Sequence, residues 1–481
     1  MSNKSIFPLY IVHCLLACMD TLPETLVLGI LSRLDDSADV ARCRAAWKIF
    51  NAVSPGLQSI NLQWPLSSYI ESMSRVSNAS SSSQMSSPLK TIFLSFLSNL
   101  VAVESVRIGV KNLPRDLSHA GIEVKAKDLH LTDGDFIMEW LPRVSGSLKS
   151  LSISDFWAQS CHRRSNVLSL VSAYCHNLAE LEVKNAWLSV ENLNQMLMVT
   201  SLTLDCIRLD DKELIQLNKS FPNLQVLNLI DVRGLKLPTI HLLHLKTCHW
   251  TITDAPPFVT VIAPNLITLT IEGKKPAAVH VDAPLLTHFH LALPHADSLL
   301  VEKFENLKTL CIEASFLYPL LFSFRFTKTV ENLTLDSQGL TKGPFERFKF
   351  SLENLFKIFP NMTSLCFRSR AWSEFEVRGM FGVGMQELRT FCGYLKIVDL
   401  SLTLSLVACV LDQCYGLVDV SLLIHQNVDS YVLKGFMCTC MMRWPKLNWR
   451  WGTWEEGKED CWISDEDLMQ MSSYMKPSFD I

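Results

Sequence analysis

The 481-residue sequence predicts a curved α/β solenoid of irregular stacked repeats, preceded by a small all-α helical module. Three observations predict it. A six-residue frame with apolar residues at its first, fourth and sixth places recurs from Leu148 onward. Two amphipathic runs fill Leu22 to Phe50. A serine-rich stretch separates the two regions. A chain this long supports two or more folding units with a large core.

The elements follow in chain order. Ile6 to Cys18, behind Lys4, imitates the apolar core of a signal peptide, but a bilayer span needs about 20 apolar residues. Met19-Asp20 directly precedes Leu22-Pro23, so the expectation is that Met19 is the natural start and residues 1–18 an upstream extension. Residues 19–60 form the helical module. Leu22, Leu26, Ile30, Leu31 and Leu34 recur mostly at steps of three and four, one face of a helix. Pro23 suits a first helical turn, and Asp35-Asp36-Ser37 supplies capping residues for a second helix. Val40, Cys43, Trp47 and Phe50 make the second apolar stripe, with Arg42, Arg44 and Lys48 on the other side. About thirty residues cannot bury this much apolar surface alone, so the segment must dock on something.

Residues 61–98 read as a connecting region. Within it, 77–88 (SNASSSSQMSSP) has the composition of a flexible linker.

Residues 99–430 carry the repeats. The frame reads LKSLSI from Leu148, LAELEV from Leu178, VTSLTL from Val199 and LQVLNL from Leu224. It returns as LITLTI from Leu266, LTHFHL from Leu286, LKTLCI from Leu307, VENLTL from Val330 and MTSLCF from Met362, with weaker copies at Ile240, Leu388 and Leu417. Most starts lie roughly 20 to 30 residues apart, the period of leucine-rich repeats. Alternate residues of a strand point to opposite faces, so the frame's apolar positions share a core and the intervening ones face outward. Each repeat buries its apolar side only against its neighbours, which is what makes a stacked solenoid. Helix-like segments such as Asp211 to Phe221 would form the convex side.

Outward residues of adjacent strands should line up in rows on the concave face. One row reads Ser152, Glu182, Thr203, Asn228, His244, Thr270, His290, Cys311, Thr334 and Cys366. The next adds His288 beside Thr268 and Thr309. Such a polar surface suits contact with a protein partner, and no metal centre is expected there. From 431 to 481 the chain is tryptophan-rich. Trp444, Trp449, Trp451, Trp454 and Trp462 suit a terminal cap over the last repeat, or a partner site.

Composition excludes several classes. Net charge is −4 and basic residues are dispersed, so there is no electrostatic footprint for nucleic acid. The sequence contains no phosphate loop, Gly-x-Ser-x-Gly or His-Glu-x-x-His, so no cofactor and no catalytic activity are expected. Fifteen irregularly spaced cysteines, an odd number, point to a reducing compartment rather than a disulfide framework.

The stretch Leu22-Pro23, Leu26, Ile30-Leu31, Leu34, Asp39, Arg42-Cys43 and Lys48 resembles an F-box. This is the helical module through which substrate receptors attach to the Skp adaptor of SCF (cullin–RING) ubiquitin ligases. Trp47 and Phe50 depart from the Cys and Trp common at those places, but both are large and apolar. The order of F-box, irregular repeats and tryptophan-rich tail resembles plant F-box/leucine-rich-repeat proteins. In that family's repeats an Asn or Cys often follows the strand, and here Phe156, Val232 and Lys274 stand in the slot. The resemblance implies a non-catalytic substrate receptor in cytoplasm or nucleus. It would dock the Skp adaptor, and through it the cullin–RING ligase, and hold an unknown protein substrate on its repeats. Leu22, Pro23, Leu26, Ile30, Leu31, Leu34, Val40, Cys43, Trp47 and Phe50 would make the adaptor surface. Glu182, Thr203, Asn228, His244, Thr270, His288, His290, Cys311 and Thr334 would face the substrate. The alternative is a repeat scaffold outside the ubiquitin pathway, with a vestigial F-box. Neither reading needs nucleic acid or a membrane.

Overall fold

The computed structural model describes residues 22–34, 36–65, 88–111, 130–155, 164–254, 256–273, 278–293, 300–301, 304–337, 349–376 and 387–464. The expectations for 1–18 and for the serine run 77–88 concern residues outside these, apart from Pro88. The chain divides into two compact units, 1–234 and 235–481.

The first unit opens with three short helices: α1 (Glu24–Leu31), α2 (Ser37–Ala46) and α3 (Lys48–Val53). Pro23 stands at the N-cap of α1, immediately before its first turn. The Asp36 carboxylate caps α2 by accepting from the Ala38 amide. Extended backbone at Trp47 ends α2 and starts α3, so the second apolar run is two helices rather than one. Val27, Leu31, Val40 and Phe50 are buried and form the interior of this module. The Asn61 amide donates to the Ser37 hydroxyl at 2.8 Å, tying α2 to the first strand.

Six parallel strands follow in one ladder: β1 (Ser59–Pro65), β2 (Ser105–Lys111), β3 (Ser150–Ser154), β4 (Glu180–Lys184), β5 (Ser201–Asp205) and β6 (Val226–Val232). Register stacks like on like. Ile60, Val106, Leu151, Leu181, Leu202 and Leu227 form one buried column, and Leu62, Ile108, Ile153, Val183, Leu204 and Leu229 the next. Each such side chain contributes about 1.5–3 kcal/mol by leaving water. The ladder starts at Ser59, earlier than the leucine frame suggests: Leu57, Ile60 and Leu62 make one copy of the frame and Val103, Val106 and Ile108 another, with isoleucine and valine in place of leucine. The helix Asp211–Ser220 has a full capping box, in which Asp210 and Glu213 each accept from the other's backbone amide.

At the close of β3 to β6 the polar position lies one residue earlier than the slot read from sequence. It holds Asp155, Asn185, Cys206 and Asp231, adjacent by register, and the last three take left-handed backbone at φ 50–56°. Asn185 Nδ2 donates to the Asp155 carbonyl at 3.0 Å. Asp155 is fully buried and accepts from the Leu131 and Thr132 amides and the Thr132 hydroxyl.

The parallel strands of the second unit are β7 (Thr247–Ile252), β8 (Thr268–Gly273), β9 (His288–Ala292), β10 (Thr309–Ala314), β11 (Asn332–Ser337), β12 (Ser364–Phe367), β13 (Thr390–Leu395), β14 (Asp419–His425) and β15 (Asn448–Trp454). β16 (Cys461–Trp462) returns antiparallel against β15. Thr247, Thr268, His288 and Thr309 start their strands at steps of 21, 20 and 21 residues. So short a repeat leaves no room for a return helix. The chain returns instead as strands, Thr239–His241, Phe258–Ile262, Ala278–Asp282 and Leu300–Val301, paired in a second parallel sheet. The expected helices on the outer side therefore give way to strand there. They reappear where spacing lengthens: 32 residues separate Asn332 from its partner Ser364, and the helix Leu352–Ile358 fits between.

Candidate functional site

Two surfaces hold the residues singled out from sequence. The first is α1 of the helical module. Its inner side is closed, with Leu31 only 1% exposed, whereas Leu26 and Ile30 stand 56% and 42% exposed beside exposed Pro23. Leu22, Leu34, Cys43 and Trp47 are half-buried. Leu34 lines a groove of about 680 Å³ between α1 and the first two strands, with Leu28, Asn61 and Arg107. The ten residues expected on one docking surface thus separate. Leu31, Val40 and Phe50 hold the module together and are not displayed. A helical period assigns residues to faces but cannot say which apolar stripe is the inner one.

The second surface is the outward side of the strand ladders. In the first unit Ser152, Glu182, Thr203 and Asn228 are neighbours by register. They are already engaged with one another: Ser152 donates to Glu182 at 2.5 Å, Asn228 to Thr203 at 3.0 Å, and Lys184 lies 2.9 Å from Glu182 and 3.7 Å from Asp205. Burial pushes the Glu182 carboxyl upward, but the Ser152 hydroxyl and Lys184 outweigh it and hold it below the ordinary carboxylate range.

In the second unit the row runs His249, Thr270, His290, Cys311, Thr334, Cys366 and Cys392. His244 is absent from it. The hexad at Ile240 is a false frame, and His244 sits exposed in the turn before β7. The true frame there is Leu245, Cys248 and Trp250, all buried, with cysteine and tryptophan where leucines were sought. His288 falls in the neighbouring row, paired with Thr268 and Thr309. Thr287 and His288 share a hydrogen bond of 2.7 Å.

One diagonal recurs on this face. His249 Nε2 lies 3.6 Å from Glu272, and two strands on, His290 Nε2 lies 3.2 Å from Glu313. Hydrogen bonds to Cys311 and Glu313 raise the His290 imidazole to about 10, and the same imidazole holds the Glu313 carboxyl low. Asp336, in register with Glu313, is pushed up by burial and by that neighbouring charge, and its Oδ1 is buried without a hydrogen-bond partner.

The tryptophan-rich end packs inward. Trp451 is fully buried with Trp449 stacked on it at 5.1 Å. Trp454 donates to the Leu395 carbonyl, and Trp444 to Asp412. Only Trp462 of the five is exposed, and Arg450 lies over its ring at 3.9 Å. The return strand also brings Asp460 to the Tyr394 hydroxyl at 2.7 Å. Among the described residues no helix is long and apolar enough to cross a membrane.

A helical module ahead of ladders built on this frame is the organisation of F-box/leucine-rich-repeat proteins, and the chain belongs to that plant family. It is 40% identical over 455 residues to the F-box/LRR-repeat protein At4g29420 of Arabidopsis thaliana, a match covering 92% of this chain and 100% of that protein. No family model matches the chain.

Proposed function

We propose that the chain is the substrate-recognition subunit of an SCF-type ubiquitin ligase. Leu26 and Ile30 dock the Skp adaptor, and the outward faces of the strands receive a target protein. The observation that carries this reading is the exposed apolar edge of α1. Two aliphatic side chains stand in water on a helix whose other side is already satisfied by Val27 and Leu31. Covering a fully exposed side chain of this kind returns about 1.5–3 kcal/mol, so a pair of them can anchor an interface. Such a receptor needs no catalytic residue, because holding a target beside the conjugating enzyme raises its local concentration. Cytoplasm and nucleus, where such ligases work, are the compartments this reading requires.

Co-expression of the full chain with a Skp adaptor tests it. The wild type should co-purify with the adaptor. Leu26→Lys should not, although its melting temperature stays close to wild type because the side chain is exposed. Failure of every Skp adaptor to co-purify, with the chain folded, would sink the proposal and leave a repeat scaffold.

A further inference from the structure

We propose that His290, Cys311 and Glu313 form a binding site for one borderline divalent cation of the zinc type on the outward face of the second unit. The sequence alone leads to the opposite expectation, because the three residues lie on two strands and match no spaced ligand motif. The ladder brings them together. His290 is the register partner of Cys311, and Glu313 follows two residues later on the same side of β10. One ligand atom from each lies within 4.8 Å of the others, and all three residues are half-buried.

The donor set selects the ion. An imidazole nitrogen, a thiolate and a carboxylate together suit zinc, whereas magnesium and calcium take oxygen ligands. Three protein ligands leave one tetrahedral position for water or for a side chain of a bound partner. The thiol binds as thiolate and the imidazole in its neutral form, so each gives one proton to solvent when the cation enters. Asp336 adds negative charge beside Glu313, with one oxygen unpartnered and buried. The molecule also contains its own control. His249 and Glu272 repeat the diagonal two strands earlier, but Thr270 stands where Cys311 would be. That copy lacks the soft ligand.

The test uses the full chain, stripped with a chelator and titrated with Co2+ as an optical probe, then with Zn2+ in competition. Wild type should take up one Co2+ with a thiolate-to-cobalt charge-transfer absorption, and Zn2+ should displace it. Cys311→Ser should lose that absorption. Glu313→Gln and His290→Ala should weaken Co2+ binding by roughly tenfold or more, the scale on which even supporting residues act in metal sites. Cys366→Ser and Cys438→Ser should change nothing. Circular dichroism confirms that each variant is folded, and Glu313→Gln, nearly isosteric and half-exposed, carries the test should Cys311→Ser not fold. Persistence of the charge-transfer absorption in folded Cys311→Ser, unchanged affinity in Glu313→Gln, or no uptake by wild type would each overturn the assignment.

Discussion

The two units end their strands with different chemistry at the same register position. In the first, Trp64 and Val110 occupy it in β1 and β2, and Asp155, Asn185, Cys206 and Asp231 in β3 to β6. In the second, Ile252, Gly273, Leu293, Ala314 and Ser337 do. Polar side chains in the first unit bond to backbone groups of the turn, as Asn185 does with Asp155 and Asp155 with Leu131 and Thr132. The second unit mostly does without, and at Gly273 removes the side chain altogether so that the Ile252 carbonyl can come close. A polar turn tolerates long and variable returns but buries charge. Both kinds of turn accommodate a 21-residue step, from Glu180 to Ser201 in the first unit and from Thr247 to Thr268 in the second.

The largest expected effect breaks the second solution. A Cβ on Gly273 would sit 2.1 Å from the Ile252 carbonyl oxygen, at φ +145°. Gly273→Ala should therefore destabilise the fold by on the order of 3 kcal/mol or more, read as a lower urea midpoint. No loss would mean that the two strands can separate there freely.

The next probes the buried carboxyl of the first solution. Burial raises Asp155 to about 7 from 3.8, against the pull of its hydrogen bonds from Thr132 and Leu131. The folded state then binds the proton more tightly than the unfolded chain. Stability should fall as pH rises from about 4 through about 7, by an amount on the order of 3 kcal/mol. Asp155→Asn keeps an acceptor and the shape but has no charge, so its urea midpoint should lose this part of the pH dependence. A wild-type midpoint that rises steadily over that window, with the same slope in the variant, would contradict the assignment.

The smallest sharpens the role of the left-handed turn. Asn185→Ala should cost about 1–3 kcal/mol, from strain at φ 56° and the lost bond to Asp155. Asn185→Gly relieves the strain alone, so the difference between the two urea midpoints isolates the backbone contribution. Equal losses would assign the whole effect to the hydrogen bond.

Much of this architecture is legible in the sequence, because a period of two in a buried strand leaves an unambiguous trace. All nine strong copies of the frame lie on strands, from LKSLSI on β3 to MTSLCF on β12. What escaped reading did so for physical reasons. Cys248 and Trp250 fill core positions as well as leucine does, which hid β7 and drew His244 into a row where it has no place. The polar turn position falls at Asp155 and Asp231, one residue before Phe156 and Val232, and the leucine frame carries no mark of that shift. Asp155 in LSISD was in plain view, but its burial depends on Leu131 and Thr132, over twenty residues away. The grouping of His290, Cys311 and Glu313 is set by register between strands. The frame supplies that register once the strands are aligned, and the signal available was the repeated His-to-Glu diagonal. The inward turn of Leu31, Val40 and Phe50 was out of reach, since it depends on how the helices of the module pack.

The return of Cys461–Trp462 onto Gly452 and Thr453 has a consequence for handling the protein. A parallel ladder ends on a strand whose amides and carbonyls are ready to pair with another molecule. Here that rim is blocked by two residue pairs and by the Ile463 amide, which donates to the Trp451 carbonyl at 2.9 Å. A stop codon placed just after Trp454 would leave every core position of the ladder's described strands in place and strip this guard, together with the Asp460 bond to Tyr394 and the Glu456 pair with Arg370. The shortened protein would stay folded and grow end to end into oligomers, a failure that a thermal melt would miss and a sizing column would reveal.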